Sequence, residues 1–324
     1  MENKNILVTG GCGFIGSNFI NYLIDNFDSF NLINLDKEGV GSNKTFVKPT
    51  RLDTQTIIHL KWDISHDLLA EQDIIDLPFD YLFHFAAESH VDRSISSPRG
   101  FITSNVMGTM QLLENAHKMG VKRIINVSTD EIYGSKNKGS SKETDKYNPS
   151  SVYSASKAST ELLCNAYIET YSMDIVTTRC SNNYGTNQFE EKLIPKVIKN
   201  ALAGEKIPIY DEGLQSREWT HVDDHIKDLL FVAEHGKKGQ IYNVGKGYEI
   251  ANIDLVKKIL EILDKPEDLI EFIPNGRKGH DFRYSINTSK LKKLRQSVLN
   301  NQLDKNVAYD VFTERLVEVV EGYL

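Results

Sequence analysis

Asn5-Ile6-Leu7-Val8-Thr9-Gly10-Gly11-Cys12-Gly13-Phe14-Ile15-Gly16 is the stretch that decides the fold. Its first five residues form a short apolar run with β-branched members, the composition of a strand buried on both faces of a parallel sheet. Gly10, Gly13 and Gly16 follow at three-residue spacing, and Ser17-Asn18-Phe19-Ile20-Asn21-Tyr22-Leu23 carries helical periodicity. Strand, glycine turn and helix in that order gather backbone N–H groups and the positive end of a helix dipole at one spot, where a pyrophosphate binds. A lone glycine pattern is a weak sign. Here a second strand, Asn31-Leu32-Ile33-Asn34-Leu35-Asp36, ends in an acid. A carboxylate about 20 residues past the glycines holds a ribose 2′-hydroxyl and repels a 2′-phosphate. The pattern therefore predicts NAD rather than NADP, with Lys37 weakening that discrimination slightly.

Outward from this unit, strands and helices alternate. Residues 80–87 read as a strand, 101–119 as a helix ending at Gly120, and 123–128 as a buried strand delivering Thr129, Asp130 and Glu131 at its carboxyl end. Residues 151–171 read as a helix and 174–179 as the next strand. The loop 134–150, rich in Ser, Lys and Asn, reads as a surface connection. After Gly185 the pattern loosens: 192–203 is helical, Pro208 opens short strand-like pieces, and 254–263 is amphipathic. The expected fold class is α/β, a modified Rossmann doubly wound parallel sheet with a smaller C-terminal lobe.

Composition narrows the function. The chain has 324 residues, 40% hydrophobic and 26% charged, in the ordinary range of a globular protein. Its net charge is −7 with no long basic run, so neither nucleic acid nor a membrane surface is expected as a partner. No apolar run has the length of a bilayer span, and Met1-Glu2-Asn3-Lys4 enters a strand without a signal-peptide pattern. Cys12, Cys164 and Cys180 lack metal spacing and read as thiols with no catalytic role, in keeping with a cytoplasmic protein.

The chemistry sits in two clusters, Thr129-Asp130-Glu131 and Tyr153-Ser154-Ala155-Ser156-Lys157. Tyr153 and Lys157, four apart on a helix, set a phenol beside an ammonium. A phenol with pKa about 10 is a poor base, and a neighbouring cation favours its phenolate. Asp130 and Glu131 supply a second proton donor and acceptor. Both sets together suit a chain that oxidises, eliminates and reduces again, and hydride transfer requires a cofactor. Taken alone, an Asp-Glu pair at a strand end is most often a solvated turn, and a Tyr and Lys four apart only a helix face. His221-Val222-Asp223-Asp224-His225 resembles a metal cluster, but Asp223 or Asp224 reads as the N-cap of a following helix, and no metal is predicted. His84 reads as a satisfied core histidine, and Tyr242 and Phe272 as packing residues.

The chain resembles the extended short-chain dehydrogenase/reductases, and among them the nucleoside-diphosphate-glucose 4,6-dehydratases of the dTDP-glucose 4,6-dehydratase family. The matching segments are 10–17 (GGCGFIGS), 84–94 (HFAAESHVDRS), 128–134 (STDEIYG), 153–157 (YSASK), 179–185 (RCSNNYG), 191–195 (EKLIP), 217–225 (REWTHVDDH) and 277–284 (RKGHDFRY). The Tyr-Lys and glycine motifs are shared across the superfamily. The Asp-Glu dyad is far more specific, since related decarboxylases have Ser before the Glu and epimerases have neither acid.

The resemblance implies conversion of dTDP-glucose or UDP-glucose to the 4-keto-6-deoxyglucose nucleotide and water, with NAD tightly bound and regenerated. Tyr153 would take the proton of the sugar 4-hydroxyl, Glu131 the proton on carbon 5, and Asp130 would protonate the departing 6-hydroxyl. For that, the Asp130 pKa must rise well above about 3.9. Thr129 would bond the 4-oxygen and Lys157 the nicotinamide ribose. The implied cofactor residues are Gly10, Gly13, Phe14, Ile15, Gly16, Asp36, Lys37, Asp63, Ile64, Ala86, Ala87, Ser89, Tyr153, Lys157 and Asn183. Those for the nucleotide sugar are Ser89, Thr129, Asn182, Lys192, Leu193, Arg217, Asn252, Arg277 and His280. Residues 1–185 with about 219–246 would form the NAD-binding domain, and 186–218 with 247–324 the nucleotide-sugar lobe. A homodimer through a four-helix interface is implied. The runners-up are an epimerase or decarboxylase of the same superfamily, or an inactive NAD-binding sensor. Gly39-Val40-Gly41 replaces the family's Thr-Tyr-Ala, Glu190 and Lys278 each replace a Pro, and Thr220-His221 replaces Leu-Tyr or Leu-Phe. These changes lie around the nucleotide pocket and leave the base open.

Overall fold

The computed structural model describes residues 1–70, 77–274, 281–299 and 308–324. β1 (Lys4–Thr9) runs through the glycine turn into α1 (Phe14–Asn26), then β2 (Phe30–Asp36) and β3 (Gln55–Lys61). Gly10 has φ +74°, and a Cβ there would lie 2.6 Å from the Ala86 nitrogen, so the turn and the close passage of a neighbouring loop both require glycine. β3 is an addition to the expected elements. Its residues are mostly half-buried or exposed, as befits a sheet edge, so it carries no buried apolar run to announce it.

β4 (Tyr81–His84) ends three residues before the expected strand does, and Phe85, Ala86 and Ala87 form the loop beyond it. α2 (Val91–Ser96) and α3 (Pro98–Phe101) follow, then a π-helical stretch Ile102–Met107 and α4 (Gly108–Lys118). The helix expected over 101–119 therefore contains a widened turn. From it the buried Asn105 accepts from the Glu88 N–H at 2.8 Å and donates to the Glu88 carbonyl and to Ser156 Oγ. β5 (Arg123–Thr129), α5 (Val152–Tyr171) and β6 (Ile175–Cys180) agree with the sequence to within one or two residues.

The rest of the chain is β7 (Asn182–Tyr184), α6 (Leu193–Ala203), β8 (Ile207–Tyr210), β9 (Ser216–His221), α7 (Val222–His235), β10 (Ile241–Val244), β11 (Tyr248–Ala251), α8 (Asn252–Ile262), β12 (Ile270–Ile273), α9 (Ser289–Val298) and α10 (Ala308–Glu321). A seven-stranded sheet has the order β10-β6-β5-β4-β1-β2-β3, and every neighbouring pair in it is parallel. The fold is the doubly wound Rossmann type. Side chains alternate across this sheet: Ile6, Val8 and Ile125 pack with Phe19 and Leu23 of α1 and Leu229 of α7. Leu7 and Ile124 pack on the other face with Leu112, Leu113 and Cys164 of α4 and α5. Each such buried side chain contributes about 1.5–3 kcal/mol.

Two smaller sheets lie outside this frame, β11-β9-β7 and β12-β8. α6, α8 and α10 share a core of their own through Ile194, Ile198, Leu255, Ile259, Leu316 and Val320. Four expectations need correction. The N-cap of α7 is His221, whose Nδ1 accepts from the Asp223 N–H; Asp223 and Asp224 occupy the first turn, where carboxylates meet the positive helix end. Tyr242 is buried as expected, but Phe272 is 58% exposed on β12. The loop 134–150 is partly internal: Ser141 bridges to Ile286, and Tyr147 reaches the buried Arg179. The fourth concerns Tyr153 and Lys157.

Candidate active site

The strands of the large sheet end at one cavity, and its lining is drawn from the loops beyond β1, β2, β4, β5 and β6. Gly13, Phe14, Ile15 and Gly16 form one wall. Gly13 caps α1 in extended conformation, no side chain bonds the cap, and the first turn holds no acid. A Cβ on Gly13 would meet only the Gly10 carbonyl within 4 Å. The first-turn amides are thus left to a ligand, and an anion suits them. This site fits the diphosphate of a dinucleotide.

Asp36, at the end of β2, is 7% exposed, and its carboxylate accepts from the Cys12 N–H at 2.9 Å and the Glu38 N–H at 2.7 Å. Lys37 is already paired, with Glu88 at 2.6 Å and Ser104 Oγ at 2.8 Å. A 2′-phosphate would face a fixed carboxylate with the nearby cation spent, so the geometry sharpens the preference for NAD. Asp63, Ile64, Ala86, Ala87 and Ser89 line the same cavity.

At the inner end, β5 delivers Thr129 and a 3-10 turn carries Asp130 to Tyr133. Thr129 Oγ1 accepts from the Glu131 N–H at 3.3 Å and donates to Asp130 Oδ1 at 3.4 Å. Asp130 is 2% exposed, and its Oδ2 has no partner among the described residues. Burial first, then the carboxylates of Glu131 and Glu218, push its pKa well above the ordinary carboxyl range. That shift favours the carboxylic acid over the carboxylate, the form that proton donation requires.

α5 begins with a capping box between Ser151 and Ser154, which places Tyr153 and Lys157 on the buried side of the helix. Here the structure corrects the sequence. Lys157 Nζ donates to the Val127 carbonyl at 2.8 Å. Burial, followed by the charge of Glu131, pushes the Tyr153 phenol well above its usual range, and Thr129 hydrogen-bonds it. Desolvation outweighs the cation one helical turn away, so Tyr153 is protonated in this state.

Ser89, Asn182, Asn183 and Lys192 line the cavity, and Lys192 Nζ donates to the Ser89 carbonyl at 3.2 Å. Leu193, Arg217 and Asn252 are not among the described lining residues. Leu193 packs against the small core. The Arg217 guanidinium, 8% exposed and 4.4 Å above the Tyr284 ring, donates to the carbonyls of Ser216, Asp281 and Phe282. The Asn252 side-chain oxygen is buried without a partner among the described residues. Arg277 and His280 lie outside the described residues. Glu88, His90, Arg93, Ser104, Gln188 and Phe189 also line the cavity without having been singled out. The first three fall inside the 84–94 motif, where the signal was available. His84 is a satisfied core histidine as expected: its ring nitrogens lie 2.7 Å from Thr9 Oγ1 and 2.9 Å from Thr109 Oγ1, and burial pushes its pKa down to about 3.

Three comparisons place this geometry among known proteins. The model of the NAD dependent epimerase/dehydratase family matches residues 6–245. A dTDP-glucose 4,6-dehydratase of Streptomyces niveus is 38% identical over 325 residues, covering 98% of this chain and 92% of that protein. The low-salt glycan biosynthesis protein Agl12 of Haloferax volcanii is 41% identical over 290 residues, covering 90% and 92%. Among solved structures, a double mutant of the dTDP-glucose 4,6-dehydratase from Streptomyces venezuelae, crystallised with NAD, superposes with a TM-score of 0.89. It is 36% identical, over 98% of this chain and 96% of that one.

Proposed function

The chain belongs to the NAD dependent epimerase/dehydratase family, and on that premise we propose that it is a nucleotide-sugar 4,6-dehydratase acting on dTDP-glucose. The observation that carries this reading is the buried Asp130, its carboxyl pushed well above the ordinary range and its Oδ2 without a partner among the described residues, set between Thr129 and Glu131 beside Tyr153. Epimerisation and decarboxylation have no use for a second acid there.

The residues divide the work as follows. Tyr153 takes the proton of the 4-hydroxyl while Thr129 bonds the 4-oxygen and Lys157, anchored on Val127, holds the sugar and ribose hydroxyls in reach. NAD held in the cavity would supply the hydride chemistry at carbons 4 and 6, and its positive charge there would work against the burial and the Glu131 charge that keep Tyr153 protonated, freeing the phenol to act as the base. The 4-ketone acidifies carbon 5, and Glu131 removes that proton. Asp130 gives its proton to the 6-hydroxyl, which leaves as water. Carbon 5 is finally reprotonated from Glu131. Net redox is zero, so NAD stays with the protein.

Residues 1–185 with about 219–246 would carry the cofactor, and 186–218 with 247–324 the nucleotide, its diphosphate met by Lys192, Arg277 and His280. Incubation with dTDP-glucose and with UDP-glucose, no NAD added, is expected to show loss of one water by mass spectrometry, faster for dTDP-glucose. No water loss even with NAD supplied would refute the dehydratase reading.

The exposed side chains of Ile102, Met107, Met110, Leu162 and Tyr171 lie on the helical run 98–118 and on α5. Two such helices from each copy would form a four-helix homodimer interface. Sedimentation equilibrium at micromolar concentration is expected to give a dimer, and a monomer would count against it. Among the described residues no helix is long and apolar enough to cross a membrane. The three buried, unpaired thiols suit the reducing cytoplasm.

A further inference from the structure

His221 caps α7, but His225, one turn further along the same helix, is fully buried and caps nothing. Its Nδ1 lies 2.9 Å from Asn183 Oδ1, and Asn183 lines the cavity beside Cys180 and Ser181. The roles in this contact follow from what each atom can do. Asn183 Nδ2 lies 2.9 Å from the Ser181 carbonyl, which can only accept, so the amide nitrogen faces Ser181 and the amide oxygen faces His225. An amide oxygen also only accepts, so the proton sits on His225 Nδ1. The other ring nitrogen, Nε2, is buried with no partner among the described residues. Burial holds the ring neutral, its pKa pushed down to about 4.

The remaining Asn183 N–H hydrogen-bonds the Cys180 sulfur. A thiol sulfur is a weak acceptor, so this is the N–H a stronger acceptor in the cavity would capture. Without the His225 donor the Ser181 carbonyl alone would oppose a flip of the amide, which would turn an oxygen toward the cavity.

We propose that His225 is a positioning residue for the cofactor: its Nδ1–H fixes Asn183 so that the amide offers an N–H, not an oxygen, to the carboxamide carbonyl of the nicotinamide. The proposal rests on the cofactor reading above. It separates two ligands, because ADP-ribose shares the adenine, diphosphate and ribose of NAD but has no carboxamide.

The test is the dissociation constant of each ligand, by calorimetry on the full chain freed of its cofactor, for wild type, His225→Leu and His225→Asn. His225→Leu removes the donor and the orphaned Nε2 together. It is expected to weaken NAD about tenfold while leaving ADP-ribose within about twofold. His225→Asn places an N–H close to where Nδ1 stood and is expected to recover most of the NAD affinity. Equal weakening of both ligands would mean a merely structural histidine, and unchanged NAD affinity would mean no link; either overturns the proposal. Should His225→Leu not fold, His225→Met, whose side chain adapts to its packing, reads the same ratio. Wild type that binds neither ligand would remove the cofactor reading and this inference with it.

Discussion

Asp130→Asn is expected to lose about 10²–10⁴-fold in the rate of dehydration, the usual worth of one positioned proton donor. Asparagine keeps the shape and the contact with Thr129 but has no proton to give, and at 2% exposure no bulk water can replace it. Oxidation at carbon 4 uses Tyr153 and should survive, so the 4-keto-glucose nucleotide and reduced cofactor accumulate in a single turnover. Rapid mixing with absorbance of the reduced cofactor, followed by mass spectrometry of the quenched sugar, checks both halves. A variant that dehydrates within a few-fold of wild type would remove Asp130 from the acid role.

The same substitution has a thermodynamic signature. The folded-state pKa of Asp130 is raised, so as pH climbs past the unfolded value of about 3.9 the unfolded chain gives up a proton that the folded chain keeps. Stability from this group is therefore greatest below that value and falls as pH rises toward the folded pKa. An asparagine side chain does not titrate, so Asp130→Asn is expected to gain stability over wild type as pH rises from about 4 toward neutrality. Urea unfolding across that range reads the slope directly.

Glu161→Ala is expected to cost about 3–5 kcal/mol, because it strands a buried guanidinium. Glu161 and Arg179 have side-chain exposures of 1% and 2%, and Arg179 Nε and Nη2 engage both carboxylate oxygens at 2.7–3.1 Å. The guanidinium also donates to Tyr133 at 2.7 Å and to Tyr147 at 3.1 Å, and Tyr133 in turn donates to Asn243 of β10. One cation thus joins β6, α5, the turn that carries Asp130 and Glu131, and the sheet edge. Replacing both partners, Glu161→Leu with Arg179→Met, removes the stranded charge and is expected to recover much of the loss. A double-mutant cycle by urea unfolding measures the coupling, and a single-mutant loss under about 1 kcal/mol would contradict it.

What could be read from the sequence was what is local. The glycine turn, Asp36 and the strand ending in Asp130 and Glu131 depend on residues within one βα unit, and they stand where their spacing put them. Burial and partnership were out of reach, because they depend on what packs from far along the chain. The Tyr153 phenol was expected to be lowered by Lys157, yet desolvation raises it, and desolvation is a property of the folded cavity. The Arg217 guanidinium is spent on carbonyls that lie 64 and 65 residues away. The widened turn at Ile102–Met107 leaves no mark in hydrophobic periodicity, since it inserts one residue into an otherwise regular helix. His225 looked like part of a metal cluster because sequence shows its neighbours and not its partner, Asn183.

β10 has a consequence for how the protein is made. The four residues Ile241–Val244 pair with Thr177–Cys180 and cover the outer edge of β6, every residue of which is buried in the finished protein. On a ribosome adding roughly 5–20 residues each second, about sixty residues separate the end of β6 from the start of β10, a gap of roughly 3–12 s. Throughout that interval the nascent chain presents a strand meant for the interior with its hydrogen-bonding edge open, the kind of edge that recruits other chains. Translation speed across residues 181–240 therefore sets how long the half-made sheet is exposed. Slower codons there lengthen the window in which a chaperone must stand in for β10.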